Sequence, residues 1–234
     1  MKGKLYLIPS PLGDGPVEDV LPRSVQEAIG HIRCYVVEEE RTVRRFLSKA
    51  GWRGHIEELR FYPLNEHTAP ATIESYLKLF DDGCDVGLVS EAGLPAVADP
   101  GAALVALRHP HGIEVLPFVG PSSLMLALMG SGLNGQCFAF KGYLPAKNDA
   151  RKQALRALEK RSKATGETQI FIETPYRNDA MLADLLSSCA DSTRLCLAIN
   201  LTCPDQCILT HSIKEWKNKK ITLGKRPCVF LMLA

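Results

Sequence analysis

Apolar residues recur along this chain in two alternating rhythms. Short apolar runs at 4–8, 34–37, 85–89 and 113–117 are too brief for helices and too continuous for loops, so they predict buried strands. Between them, 20–32, 41–50, 72–80 and 102–107 space their apolar residues three and four apart, which is the helical period. Gly51 follows the basic amphipathic stretch 41–50 in a C-cap position. Strand and helix taking turns in this way predicts an open, mostly parallel sheet with helices on both faces.

The alternation resumes after Val119-Gly120-Pro121, with an apolar helix over 122–129, a strand over 137–141, a long basic helix over 150–163, a strand over 168–172 and a helix over 178–188. The tail changes character. Segments 194–199, 206–211 and 227–233 read as strands joined by tight loops, with a short basic stretch at 213–219. The expectation is an α/β protein of two lobes: residues 1–118, built on the parallel sheet, and 119–234, built on a mixed or antiparallel one.

Composition limits what such a chain can be. Of 234 residues, 46% are hydrophobic and 23% charged, enough to bury a sizeable core. No run approaches the roughly 20 apolar residues that cross a bilayer. The first apolar run lacks a small-residue cleavage site and reads as a strand, so a cytoplasmic protein is the expectation. Its eight cysteines are then expected as thiols. Cys203 and Cys207 form the one close pair, with no second pair to complete a zinc site, so no metal is expected.

The net charge of +2 hides an asymmetry. Residues 1–116 carry 12 Lys/Arg against 17 Asp/Glu, and residues 117–234 carry 16 against 9. Much of the excess lies in 141–163, with 8 basic and 2 acidic residues, and in 214–226, with 6 and 1. A second lobe of this charge suits an RNA partner, and solvated helix faces would give the same count.

In open α/β sheets ligands collect beyond the carboxyl ends of the strands. The loops there are 9–13, 38–41, 90–101, 119–123, 142–147 and 173–177. The richest is 90–101, Ser-Glu-Ala-Gly-Leu-Pro-Ala-Val-Ala-Asp-Pro-Gly. Gly93 and Gly101 allow close backbone approach, Pro95 and Pro100 stiffen the loop, and Glu91 and Asp99 offer carboxylates to ribose hydroxyls or an ammonium group. It has no Gly-Lys-Ser/Thr ending, and no Gly-x-Gly-x-x-Gly opens the first helix, so neither a P-loop nor a dinucleotide fingerprint is present. A merely stiff loop with solvated acids is the other reading.

Taken in order, the motifs carry a resemblance. The loop Ser10-Pro11-Leu12-Gly13 is followed by Glu38-Glu39-Glu40-Arg41, Glu66-His67-Thr68, Ser90 to Pro95 with Asp99-Pro100-Gly101, Val119-Gly120-Pro121-Ser122, Gly142-Tyr143-Leu144-Pro145-Ala146-Lys147 and Glu173-Thr174-Pro175-Tyr176-Arg177. This series resembles the ribosomal RNA small-subunit methyltransferase I family of the tetrapyrrole-methylase superfamily, whose members read Thr-Pro-Ile-Gly, Glu-Asp-Thr-Arg, Glu-His-Asn, Ser-Asp-Ala-Gly-Thr-Pro with Asp-Pro-Gly, Pro-Gly-Pro-Ser, Gly-Phe-Leu-Pro-x-Lys and Glu-Ser-Pro-x-Arg. The likeness covers about residues 4–187.

The resemblance implies the two-lobed tetrapyrrole-methylase fold, a homodimer, with S-adenosylmethionine in the cleft between lobes and a cytidine ribose 2′-hydroxyl of small-subunit ribosomal RNA as acceptor. It places the donor against Pro11, Leu12, Ser90, Glu91, Ala92, Gly93, Leu94, Ala98, Asp99, Ser122, Ser123, Leu124 and Leu144. Departures fall at Glu39, Glu40, Thr68, Glu91 and Leu94, and in the last third of the second lobe.

A sulfonium methyl needs an acceptor in line and, for a hydroxyl, a base to take its proton. His67 is the first candidate base, with Glu38 and Glu39 behind it. Arg41, Lys147 and Arg177 are candidate RNA contacts; the two arginines hold phosphates as forks or pair with the acidic triplet Glu38-Glu39-Glu40, the adjacent glutamates favouring the pairing for Arg41. A methyltransferase of this fold acting on a tetrapyrrole-like small molecule or a protein is the alternative, and a non-catalytic RNA-binding relative is a second.

Overall fold

A computed structural model describes residues 2–81 and 83–234. The chain divides into two compact units, Met1–Ser122 and Ser123–Ala234.

The first unit is a five-stranded sheet. In chain order it runs β1 (Leu5–Leu7), α1 (Arg23–His31), β2 (Cys34–Val37), α2 (Glu40–Leu47), β3 (Arg60–Pro63), α3 (Pro70–Ser75), β4 (Val86–Val89), α4 (Gly101–Arg108) and β5 (Val115–Pro117). The spatial order is β3-β2-β4-β1-β5, and every pairing is parallel. Central strands β2 and β4 are buried along their whole length, which is why they read as unbroken apolar runs. Alternate residues serve two cores. Ile8, Tyr35, Val37 and Val89 meet Val25 and Ile29 of α1 and Val43, Phe46 and Leu47 of α2. Leu5, Val36, Val86 and Leu88 meet Ile73 of α3 and Leu104 of α4 on the opposite face. Gly87 of β4 lacks a side chain because the Tyr35 ring lies 2.8 Å from where its Cβ would stand.

Boundaries differ from the periodicity at a few places, each for a local reason. The helix of 41–50 continues through Gly51, whose φ of +129° kinks a wide turn at Ser48–Trp52 instead of capping it. The helix of 72–80 is α3 followed by a tighter 3-10 turn, Tyr76–Phe80. Strand β3 has no sequence signal: Arg60-Phe61-Tyr62-Pro63 lies at the sheet edge, exposed or half-buried throughout, so no apolar run marks it.

The second unit runs α5 (Ser123–Ser131), β6 (Phe138–Tyr143), α6 (Asn148–Thr165), β7 (Thr168–Ile172), α7 (Asn178–Ser188), β8 (Arg194–Ile199), β9 (Cys207–Ser212), α8 (Ile213–Lys217) and β10 (Cys228–Leu233). Its sheet has the order β6-β7-β10-β8-β9, with β6 and β7 parallel and the other pairs antiparallel. One face is covered by Leu155 of α6, Met181 and Leu185 of α7 and Trp216 of α8, packed on Phe171, Leu197 and Phe230. Trp216 donates its indole N–H to the Leu195 carbonyl at 2.8 Å, and Ser212 and Glu215 form a reciprocal capping box at the start of α8. A buried ion pair, Arg151 to Asp184, ties α6 to α7; the same guanidinium donates to the Ala146 carbonyl at 2.9 Å.

All eight cysteines are free thiols. Among the described residues no helix is long and apolar enough to cross a membrane. Nor does any group of three His, Cys, Asp or Glu among them stand ready to hold a metal ion.

Candidate active site

Because all five strands of the first unit run the same way, all five following loops emerge at one end of its sheet. Connections from β1 and β2 cross one face through α1 and α2, and those from β3 and β4 cross the other through α3 and α4. Neighbouring strands β1 and β4 thus send their chains to opposite faces, which opens a crevice beyond their carboxyl ends.

The loops around that crevice are joined by specific contacts. Ser10 and Gly93 form an isolated antiparallel bridge, with Ser10 N–H to the Gly93 carbonyl at 2.9 Å and Gly93 N–H to the Ser10 carbonyl at 3.1 Å. The Ser10 hydroxyl donates to the Ser90 carbonyl at 3.2 Å. Gly93 has a φ of +83°, and a Cβ there would stand 3.1 Å from Leu12 Cδ2 and 3.4 Å from the Pro121 carbonyl oxygen. A Cβ on Gly120 would collide with Pro9 at 2.2 Å. Glycine is therefore what lets the loops after β1, β4 and β5 touch.

From β2, the Glu38 carboxylate accepts the Glu91 N–H at 3.1 Å. Burial pushes the Glu91 carboxyl above its usual range, and the charges of Glu38 and then Glu39 push the same way. Burial also raises the Asp99 carboxyl, against hydrogen bonds from the Gly101 and Ala96 N–H groups that pull it down. Between these acids the backbone is strained: Ala96 and Ala98, neither a glycine, hold φ of 64° and 59°. Ala92, Leu94 and Ala98 complete the loop, Leu94 half-buried and the two alanines exposed.

The three acid–base candidates are placed differently. Glu39 is the N-cap of α2, its carboxylate accepting from Arg41 N–H at 3.1 Å and Thr42 N–H at 2.6 Å, and its pKa is lowered chiefly by Thr42. Glu38 touches the 90–101 loop directly. His67 lies in the loop after edge strand β3; its side chain is 84% exposed, and its contacts stay local, with Asn65 Oδ1 accepting its backbone N–H and Glu66 Oε1 lying 3.5 Å from Nε2. Arg41 is exposed on the first turn of α2.

Ser122 ends the first unit, and the remaining candidates belong to the second. Ser123 and Leu124 open α5, Leu124 buried. Leu144 is buried just past β6, and exposed Lys147 precedes the first turn of α6. Arg177 pairs with a carboxylate other than those of 38–40, that of Glu173 in its own motif: Nε is 2.9 Å from Glu173 Oε1, and Nη2 bonds the same oxygen. In the sequence Glu173 stands out only as part of the motif that ends in Arg177. Its signal was available, a carboxylate four residues before an arginine across a Pro-containing turn.

No family model matches the chain. Curated relatives do. It is 36% identical to the ribosomal RNA small subunit methyltransferase I of Micromonospora olivasterospora over 215 residues, 91% of this chain and 64% of that one. Against the protein of the same name from Escherichia coli O157:H7 it is 32% identical, covering 86% of this chain and 66% of that one. The one from Synechocystis is 32% identical, with 86% and 67% covered. The chain thus spans about two thirds of these relatives' length, slightly less for the first two. Among solved structures, the methyltransferase CobJ superposes with a TM-score of 0.65 at 18% identity, covering 99% of this chain and 94% of that one. A uroporphyrin-III C-methyl transferase from Thermus thermophilus, complexed with S-adenyl homocysteine, gives 0.61 at 17%, covering 99% and 97%. At such identities the likeness is one of fold.

Proposed function

Since the chain belongs to the ribosomal RNA small subunit methyltransferase I family, we propose that it methylates a ribose 2′-hydroxyl of small-subunit ribosomal RNA with S-adenosylmethionine as donor. The observation that carries this reading is the bridged Ser10–Gly93 crevice, flanked by Glu38, Glu91 and Asp99. Its chemistry fits the donor: carboxylates suit an ammonium group and a ribose diol, and the side-chain-free Gly93 leaves room beside Leu12. When bound, the donor supplies a methyl group already activated on a sulfonium.

The chain's own residues do the rest. Glu91 and Asp99 bind and orient the donor's polar groups, with Ser90, Ala92, Leu94 and Ala98 lining the same loop and Pro11 and Leu12 facing it. Ser122, Ser123, Leu124 and Leu144 are assigned to the donor as well. Glu38 holds Glu91 through the backbone N–H. The acceptor hydroxyl must lose a proton, and we assign that proton to His67: Glu39 is committed to capping α2 and Glu38 to the donor loop, whereas the His67 imidazole is exposed beside Glu66. Arg41, Lys147 and Arg177 take RNA phosphates. The reading includes a cytoplasmic homodimer, which equilibrium sedimentation tests.

Calorimetry with S-adenosylmethionine on the wild type and on Glu91→Ala tests the donor. Micromolar binding by the wild type, weakened at least about 10-fold by the substitution, is the expected result, as one charge-assisted hydrogen bond implies. His67→Ala should keep that binding and lose turnover. A wild type that binds no donor would sink the reading.

A further inference from the structure

At the carboxyl end of the one parallel pair in the second unit, β6 and β7, two tyrosines from motifs far apart in sequence come to adjacent strand ends. Tyr143 closes β6 with its Cα opposite Ile172, the last residue of β7, and Tyr176 lies on the turn Pro175–Arg177 that follows. Tyr143 is 59% exposed and Tyr176 71%, although burying such rings is ordinarily favourable. The Arg177 guanidinium carbon lies 5.6 Å from the Tyr176 ring centre.

That guanidinium is fixed from beneath. The Glu173 side chain has no exposed surface, and its Oε1 accepts Thr174 N–H at 2.7 Å, the Thr174 hydroxyl at 3.2 Å and two Arg177 nitrogens. Its Oε2 is buried with no hydrogen-bond partner among the described residues. A buried carboxylate with one oxygen left unpaired costs stability, so its use is to hold Arg177 in one orientation. Exposed Lys147 follows Tyr143 by four residues.

Two exposed aromatic rings, a fixed guanidinium and a lysine four residues after one of the rings are a combination suited to unpaired nucleotides. Rings stack on bases whatever their identity, and cations take the adjoining phosphates. We propose that Tyr143 and Tyr176 are a stacking platform for an unpaired base of the RNA, with Arg177 and Lys147 holding its backbone. The inference rests on the RNA acceptor of the function proposed above, and adds to it that the RNA is engaged as single strand.

The test uses the whole chain and a short unstructured oligoribonucleotide carrying one 2-aminopurine, whose fluorescence falls when it stacks on an aromatic ring. Tyr143→Ala and Tyr176→Ala should each weaken binding about 5- to 100-fold and relieve quenching, while the Phe variants stay near wild type. The salt dependence of binding should hold its slope in all four, because no phosphate contact is removed. S-adenosylmethionine affinity and melting temperature, measured alongside, should not change.

Ala variants that bind and quench like the wild type would overturn the proposal. So would a loss confined to S-adenosylmethionine affinity, which would assign the rings to the donor's adenine. A wild type that binds the donor but no oligonucleotide would remove the platform and leave the donor reading standing. One that binds neither would remove the proposed function itself.

Discussion

Glu39 has a structural task that its place among three glutamates does not announce. Its place among three glutamates suggested acid–base chemistry, yet its carboxylate caps α2 through the Arg41 and Thr42 N–H groups. The family motif has Asp at this position, the shorter and commoner cap. Glu39→Ala should therefore cost about 1 kcal/mol of stability, and Glu39→Asp close to nothing, by chemical denaturation. The pH dependence has a definite sign. A carboxyl whose folded pKa is lowered contributes stability above its unfolded pKa and loses it as pH falls through the folded value. The difference between wild type and Glu39→Ala should accordingly be full at neutral pH and vanish in acid below the ordinary carboxylate range. Glu91 and Asp99 have the opposite sign. Their raised carboxyls burden the folded state at neutral pH, and acidification relieves that burden.

At the scale of elements, the parallel sheet was legible because it is buried on both faces. Strands β2 and β4 could be read as apolar runs, and helices on both faces follow from their alternation. Strand β3 was not legible, because an edge strand ending in Pro63 carries no such run. In the second unit, β7, α7 and β8 coincide with the segments the pattern marks, helped by Gly166 with its φ of +67° before β7. The tightest dependence between elements is at Gly87. A methyl there would press on the Tyr35 ring at 2.8 Å and on Ile8 Cδ1 at 2.9 Å, and the Tyr35 hydroxyl is anchored to the Ile29 carbonyl at 3.1 Å. Gly87→Ala should destabilise by about 1–3 kcal/mol, as overpacking does. Tyr35→Leu, itself destabilising, should cost less in the Gly87→Ala background than alone, a coupling that a double-mutant cycle measures.

Across the whole molecule, the sequence placed the chemistry on loops at strand ends but did not say which loops meet. That depends on the order β3-β2-β4-β1-β5, which no local pattern encodes; Ser10–Gly93 and Glu38–Glu91 exist because β4 is inserted between β2 and β1. Charge was likewise legible in amount but not in use. Within 141–163, Arg151 is committed to buried Asp184, while Lys141 and Arg161 face Glu167, whose carboxyl Arg161 and then Gln169 hold down to about 2. The outward field of 141–163 comes from exposed Lys147, Arg156, Lys160 and Lys163. Lys147→Ala should reduce the slope of log Kd against log salt for RNA by about 1 and weaken all sequences alike.

The bridge between Ser10 and Gly93 also bears on time. Its two halves are separated by three strands' worth of chain, so loop-closure entropy must be overcome before either residue finds the other. Nascent chains that have emerged only as far as α3 hold β1, β2 and β3 but not the strand that belongs between two of them. The crevice is therefore a late product of folding, and donor affinity becomes a clock: in refolding, it should return only after helical and sheet signals have recovered.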